Sequence, residues 1–261
     1  MDTDTVDSYV TRIGASRPTA PTAEALAHLH ERHLRTVPFE NLAIHLGEPI
    51  VLDEDALVEK IVGRRRGGFC YELNGAFAAL LRALGFDVTL LSSVVHAGDG
   101  RFTVPLDHLT LRVEVDGERY LADVGFGALA IRPLRLDWPA AQDDQAGTFL
   151  IRDAPHGDVD VVQDGEVRYR VEQHPRRLTD FTPTCWWHQH SPDSHFTRSL
   201  TCSLATENGR VTLSEDKLIS TVGTERTEAV LGSDEEILAT YQRLFGMRLD
   251  RVSRLAEHVG A

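Results

Sequence analysis

Two Asp-Gly pairs, Asp116-Gly117 and Asp164-Gly165, each stand between runs in which apolar and polar residues alternate. Asp-Gly suits a two-residue hairpin turn, whose central residues need positive φ. The middle of the chain must therefore hold an antiparallel sheet. Its register follows from the turn: with Asp116 and Gly117 at the centre, Val115 faces Glu118 and Thr110 falls opposite Asp123. His108 and Asp123 then share a face, offset by one pair. Diagonal neighbours lie about 7–8 Å apart, a gap that an imidazole and a carboxylate can span. Leu109, Leu111, Val113 and Val115 take the other face and suit a core. A three-residue loop would reverse the parity. A solvated polar face with Glu114 and Arg119 as a cross-strand ion pair fits the same alternation.

The first third reads as helical. Thr22 caps a helix with Leu26, Leu29 and Leu34 inward, and Asp53 caps a second that Gly63 closes. A third starts near Cys70, carries Leu73, Phe77, Leu80, Leu81 and Leu84 as one stripe, and stops at Gly85. Arg132–Gly147, with Pro133 and Pro139, reads as a long loop. Asn208-Gly209 is expected to turn a hairpin between 200–207 and 210–214, and Ser233 with Glu236 forms a capping box for a final helix. Helices, then a strand-rich barrel or sheet, then a small α/β unit make an α+β chain.

The formal net charge of −13 makes nucleic acid a poor partner, although a small anionic ligand needs only a local basic pocket. No apolar run reaches the length of a membrane span, and the acidic start MDTDTVDSYV lacks a leader pattern. A cytoplasmic location is expected. Three cysteines, Cys70, Cys185 and Cys202, without a Cys-x-x-Cys, argue against a disulfide framework or a cysteine-rich zinc site and leave at least one free thiol. Cys202 alternates with Leu200 and Leu204 and reads as core.

That thiol has a setting that suits a nucleophile. In Arg66-Gly67-Gly68-Phe69-Cys70-Tyr71-Glu72-Leu73-Asn74, two glycines lead into a helix whose first turn holds Cys70. Free N–H groups and the helix dipole there favour an anion, so a lowered thiol pKa is expected, and the same groups can hold an oxyanion. A thiolate needs a base and the base an orienting group, which His108 and Asp123 can supply. The other reading of Cys70 is a buried small hydrophobe on the Leu73/Phe77 stripe. Asp123-Val124-Gly125-Phe126-Gly127 reads as a strand end and a glycine turn where a ligand can approach the backbone, with Phe126 lining a pocket or filling the core. His188, His190 and His195 lack Cys or Glu partners at a recognised metal spacing, so no metal is expected. Arg64-Arg65-Arg66 can meet phosphates or form a solvated run.

These segments resemble the arylamine N-acetyltransferase family, which includes the ansamycin amide synthases. Residues 66–74 fit its RGGxCxELN signature, Val37-Pro38-Phe39-Glu40-Asn41-Leu42 its VPFENL segment, and Asp107-His108-Leu109 and Asp123–Gly127 the segments carrying its histidine and aspartate. Ser191–Phe196 resembles its SPxSxF stretch. The resemblance implies a helical bundle (1–86) carrying the nucleophile, a β-barrel (87–185) carrying His and Asp, and an α/β lid (186–261), with a core like that of papain and the transglutaminases. It implies Cys70 as nucleophile, His108 as base and Asp123 as its orienting residue, with Phe39, Val95, Phe126, Gly127 and Phe196 at the substrate. The implied reaction moves an acetyl group from acetyl-CoA to an arylamine or arylhydrazine nitrogen through an acyl-cysteine, without a metal. A polyketide-cyclising amide synthase fed by an acyl carrier protein, and a hydrolase or transglutaminase, are the alternatives.

Overall fold

A computed structural model describes residues 1–98 and 100–255. Asp2 caps α1 (Thr3–Arg12) and Thr22 caps α2 (Ala23–Thr36), each side chain accepting a first-turn N–H. A two-residue strand β1 (Phe39–Glu40) and a short α3 (Leu42–Leu46) follow. Asp53 caps α4 (Glu54–Val58), which runs into a π-helical turn over Glu59–Gly63. The helix α5 (Cys70–Ala83) ends at Leu84, beside Gly85 at φ +90°. Its stripe proves to be a whole surface: every residue from Cys70 to Leu81 is buried. A helix buried on every side belongs inside, with its polar Glu72 and Asn74 also buried, and α5 packs among α1, α4, β2 (Asp87–Val95) and β3 (His108–Val115).

The sheet of β2, β3, β4 (Glu118–Ala122), β5 (Leu134–Arg135), β6 (Gln142–Asp144), β7 (Gly147–Asp153), β8 (Val159–Gln163) and β9 (Glu166–Arg176) has eight strands in the order β5-β4-β3-β2-β9-β8-β7-β6. All pairings are antiparallel, and the sheet is nearly a closed barrel. Its two edges meet through Gln142, whose amide accepts from Arg135 N at 2.8 Å and donates to Arg135 O at 3.0 Å. The Asp116-Gly117 turn holds both residues at positive φ, and Val115 pairs with Glu118 and Leu111 with Ala122, the two-residue register. The Glu114–Arg119 cross-strand ion pair does not form: Arg119 turns to Asp137 and Glu114 takes Arg112. The expected loop over 132–147 carries the short strands β5 and β6; Pro133 and Pro139 fall outside both.

The helices α6 (Thr182–His190) and α7 (His195–Arg198) lead to a five-stranded sheet of β1, β10 (Cys202–Thr206), β11 (Gly209–Ser214), β12 (Lys217–Val222) and β13 (Glu225–Val230), against which α8 (Asp234–Phe245) packs. The strand β1 comes from the N-terminal segment, so the first and last parts of the chain interlock. The hairpin expected at Asn208-Gly209 turns one residue earlier. Thr206 pairs with Gly209, which leaves Glu207 and Asn208 as the turn, neither at positive φ. Gly209 serves the neighbouring strand instead: a Cβ there would lie 1.9 Å from Thr221 O.

Candidate active site

Cys70 is the first residue of α5, where the Gly-Gly approach sets it. A Cβ on Gly67 would sit 2.0 Å from Pro38 O, and Glu40 N donates to Gly68 O at 2.9 Å. The 37–42 segment thus lies directly on the glycine loop. Buried charges fix both. Arg66 pairs with Glu40 at 3.1 Å and with Glu48 at 3.0 Å, and Lys60 pairs with Glu72 at 2.5 Å. Glu72 also accepts from Phe69 N at 3.2 Å, closing the start of α5. Asn41 reaches the later segment, donating to Phe196 O at 2.9 Å and accepting from Thr201 N at 2.9 Å.

His108 opens β3, and its Nε2–H donates to Asp123 Oδ2 at 2.7 Å. The shared face inferred from the turn is therefore realised, and the diagonal gap is closed by the two side chains. Asp123 accepts three more hydrogen bonds: from Tyr169 OH at 3.0 Å, Asn74 Nδ2 at 2.8 Å and Gly125 N at 2.9 Å. Burial alone would raise its pKa. The His108 charge and the bonds from His108, Asn74 and Gly125 outweigh burial and hold the carboxyl below its ordinary value. Burial, with the charge of Asp123, keeps Tyr169 protonated and a donor.

Asn74, the last residue of the signature, is a strut that sequence reasoning left without a role. It donates to Leu109 O at 2.6 Å and accepts from Val124 N at 2.9 Å, so one side chain on α5 holds both β3 and the segment that follows β4. His30 is a second such group. Its Nδ1–H donates to Ile131 O at 2.8 Å and its Nε2 accepts from Asp123 N at 3.0 Å; burial lowers its pKa and keeps it neutral. Tyr169 lies on β9, far along the chain, with no local motif to mark it. Gly125 lines the same cavity as Cys70 and also permits close packing, because a Cβ there would meet Cys70 Cα and Asn74 Nδ2 at 2.7 Å each.

Cys70 and His108 line one cavity of about 530 Å³ together with Phe39, Val95, Phe126 and Phe196. Gly127 lies off its lining, at φ +87°, where a Cβ would meet the Phe39 ring at 3.4 Å. Cys70 Sγ is 3.8 Å from Asp107 O. The lowered thiol pKa expected from the helix start is not found. Burial, the largest influence, drives it well up, and the charges of Asp107 and Asp123 add to this against a backbone hydrogen bond from Leu109. Burial also raises Cys185, to about 12, and Cys202. All three thiols are free, and of them only Cys70 lines the cavity beside an imidazole.

The three histidines considered for metal part company. His188 faces Asp107 and Ser194, His190 Nδ1–H donates to Trp186 O of its own helix, and His195 meets Ser199. Among the described residues no group of three or more His, Cys, Asp or Glu could hold a metal ion.

An N-acetyltransferase family model matches residues 22–254. An arylamine N-acetyltransferase / N-hydroxyarylamine O-acetyltransferase of Salmonella typhimurium is 35% identical over 226 residues, covering 81% of this chain and 77% of the relative. The chain belongs to the arylamine N-acetyltransferase family. A solved Salmonella typhimurium arylamine N-acetyltransferase superposes with a TM-score of 0.88 at 30% identity, covering 97% of this chain and 95% of that one. The Mycobacterium marinum enzyme, solved in complex with CoA, superposes at 0.83 with 27% identity over 93% and 92% of the two chains.

Proposed function

We propose that this chain moves an acetyl group from acetyl-CoA to the nitrogen of an arylamine or arylhydrazine, with Cys70 as nucleophile, His108 as base and Asp123 as the residue that orients it. The observation that carries the reading is the bond from His108 Nε2 to the buried Asp123, with His108 and Cys70 lining one cavity. With Nε2 committed, Nδ1 is the nitrogen left to take the thiol proton. Membership of the family supports the substrate classes.

The steps follow. Cys70 gives its proton to His108 and attacks the thioester carbonyl. The tetrahedral oxyanion is stabilised at the positive end of α5, where Cys70 is the first helical residue. The CoA sulfur leaves with the proton, and the acetyl group stays on Cys70. An amine then attacks the acetyl-cysteine, His108 takes its proton, and the thiol returns as the amide departs. Phe39, Val95, Phe126 and Phe196 hold the flat acceptor and keep water from the intermediate. A cytoplasmic location belongs to this reading, supported by the free thiols and the need for acetyl-CoA.

Intact-mass measurement after brief mixing with acetyl-CoA tests it. One acetyl adduct is expected on Cys70, lost as acetylarylamine forms, and absent in Cys70→Ala. An unacetylated protein whose thiol still alkylates, and which takes an acyl group from a carrier-protein thioester, would replace this reading with the amide synthase one.

A further inference from the structure

The cavity holds a second histidine–carboxylate pair that the steps above leave unused. His188, on α6, and Asp107, next to His108, both line it. His188 Nε2 lies 3.1 Å from Asp107 Oδ1, yet its alignment gives no hydrogen bond, and this nitrogen is a buried polar atom without a partner. The residue is only 4% exposed. Its other nitrogen, Nδ1, is 3.1 Å from Ser194 Oγ, and that oxygen also accepts from Phe196 N at 3.2 Å. The Asp107 carboxylate beside Nε2 favours the ring proton on that nitrogen, and the Ser194 hydroxyl then donates to Nδ1. Asp107 is held in turn, since Thr103 Oγ1 donates to its Oδ2 at 2.7 Å.

An oriented N–H donor and a carboxylate oxygen thus stand side by side, unbonded to each other, in a cavity walled by Phe39, Phe126 and Phe196. Buried polar groups in native proteins are nearly always paired, and an unpaired one calls for an explanation such as a ligand. We propose that this pair receives a hydroxyl substituent of the aromatic acceptor, and so selects among amines. A hydroxyl fits both halves at once: its oxygen accepts from Nε2–H and its proton goes to Oδ1. A methoxy group can only accept, and a methyl group can do neither. This inference rests on the acetyl-transfer reading of the site and adds to it which acceptors are preferred.

The test is a comparison of acceptors on one enzyme. p-Aminophenol and p-toluidine are nearly the same size, and p-anisidine stands between them chemically. Each is offered to the acetylated enzyme, and kcat/KM is measured for transfer. A site built around a substrate hydroxyl rejects the analogue that lacks it. Because His188 and Asp107 already lie 3.1 Å apart, a modest ratio is expected: about tenfold in favour of the phenol, with the ether between. In His188→Leu and in Asp107→Asn the ratio should fall toward one, expressed mainly in KM. A wild-type ratio near one, which needs no variant, would overturn the proposal. So would an unchanged ratio in both variants with a lowered melting temperature, the mark of a pair that only fastens α6. Failure of wild-type enzyme to form the acetyl adduct would instead overturn the acetyl-transfer reading, and this inference with it.

Discussion

Replacing Asp123 by Asn tests the site at its most connected point. Each carboxylate oxygen accepts two hydrogen bonds: Oδ1 from Asn74 and Gly125 N, Oδ2 from His108 and Tyr169. An amide has one acceptor and one donor end, so one pair of donors must lose its partner. Gly125 N is backbone, and Asn74 is pinned by Leu109 and Val124, so neither can turn away. The new NH₂ is therefore expected on the His108 side. Tyr169 can rotate its hydroxyl. His108 can adapt only by moving its proton from Nε2 to Nδ1, and a ring protonated at Nδ1 cannot accept the thiol proton there. Regaining the competent tautomer sets two donors face to face. The loss is a charge-assisted bond, about 1.5–3 kcal/mol, plus a buried unsatisfied donor, about 1–3 kcal/mol. Together these slow the acetylation step by roughly 10²–10⁴-fold. Single-turnover acetylation of Cys70, followed by quenched intact mass, reads the rate, with a thermal melt to show that the variant is folded. A folded variant within tenfold of wild type would refute the assignment of Asp123 as the orienting residue.

Three further outcomes are expected. Gly125→Ala should cut acetylation at least about a hundredfold, since its Cβ would lie 2.7 Å from Cys70 Cα and neither backbone can give way; wild-type kinetics would show that the strand end and α5 can separate. Glu72→Gln should lower stability by about 3–5 kcal/mol by leaving the Lys60 ammonium buried and unpaired, and adding Lys60→Met should recover most of it in a denaturant titration. His30 and His33 are both held below the ordinary histidine pKa by burial, so the unfolded chain binds more protons below about pH 6.5. Stability should be full above that pH and fall as pH drops through the folded-state values, with a shallower acid limb in His33→Gln; an identical limb would remove His33 from the account.

How much could be read from the sequence depended on whether a signal was local. The His108–Asp123 face was legible because the Asp-Gly turn fixes parity over a few residues. The start of α5 and the place of Cys70 were legible from two glycines and a stripe. Asn74 stood inside a recognised segment, but its task links Leu109, Val124 and Asp123, none of which the segment names. Tyr169 and His30 reach Asp123 through tertiary packing alone. The thiol pKa was misjudged because the helix start was weighed without the burial that a helix buried on every side imposes. The turn at Glu207-Asn208 was misplaced for a similar reason, since Gly209 answers to the strand beside it.

The raised thiol changes what the triad must do. Burial lifts all three cysteines, so the burial of the thiol does not set Cys70 apart. Its distinction is a proton acceptor in the same cavity. Moving the proton from sulfur to His108 leaves the site's net charge unchanged while it converts the 2.7 Å contact with Asp123 into an ion pair. Asp123 disfavours a thiolate through space but favours the imidazolium at contact distance, and Coulomb energy falls with separation, so the closer interaction prevails. On the proposed assignment, Cys70 is available as nucleophile when His108 holds the proton and masked when it does not, which suits a buried thiol that should react with one thioester and little else. That control passes through register. A one-residue slip at Asp116-Gly117, at the far end of the hairpin, would carry Asp123 to the opposite face and leave His108 without the carboxylate that the proposed proton transfer needs.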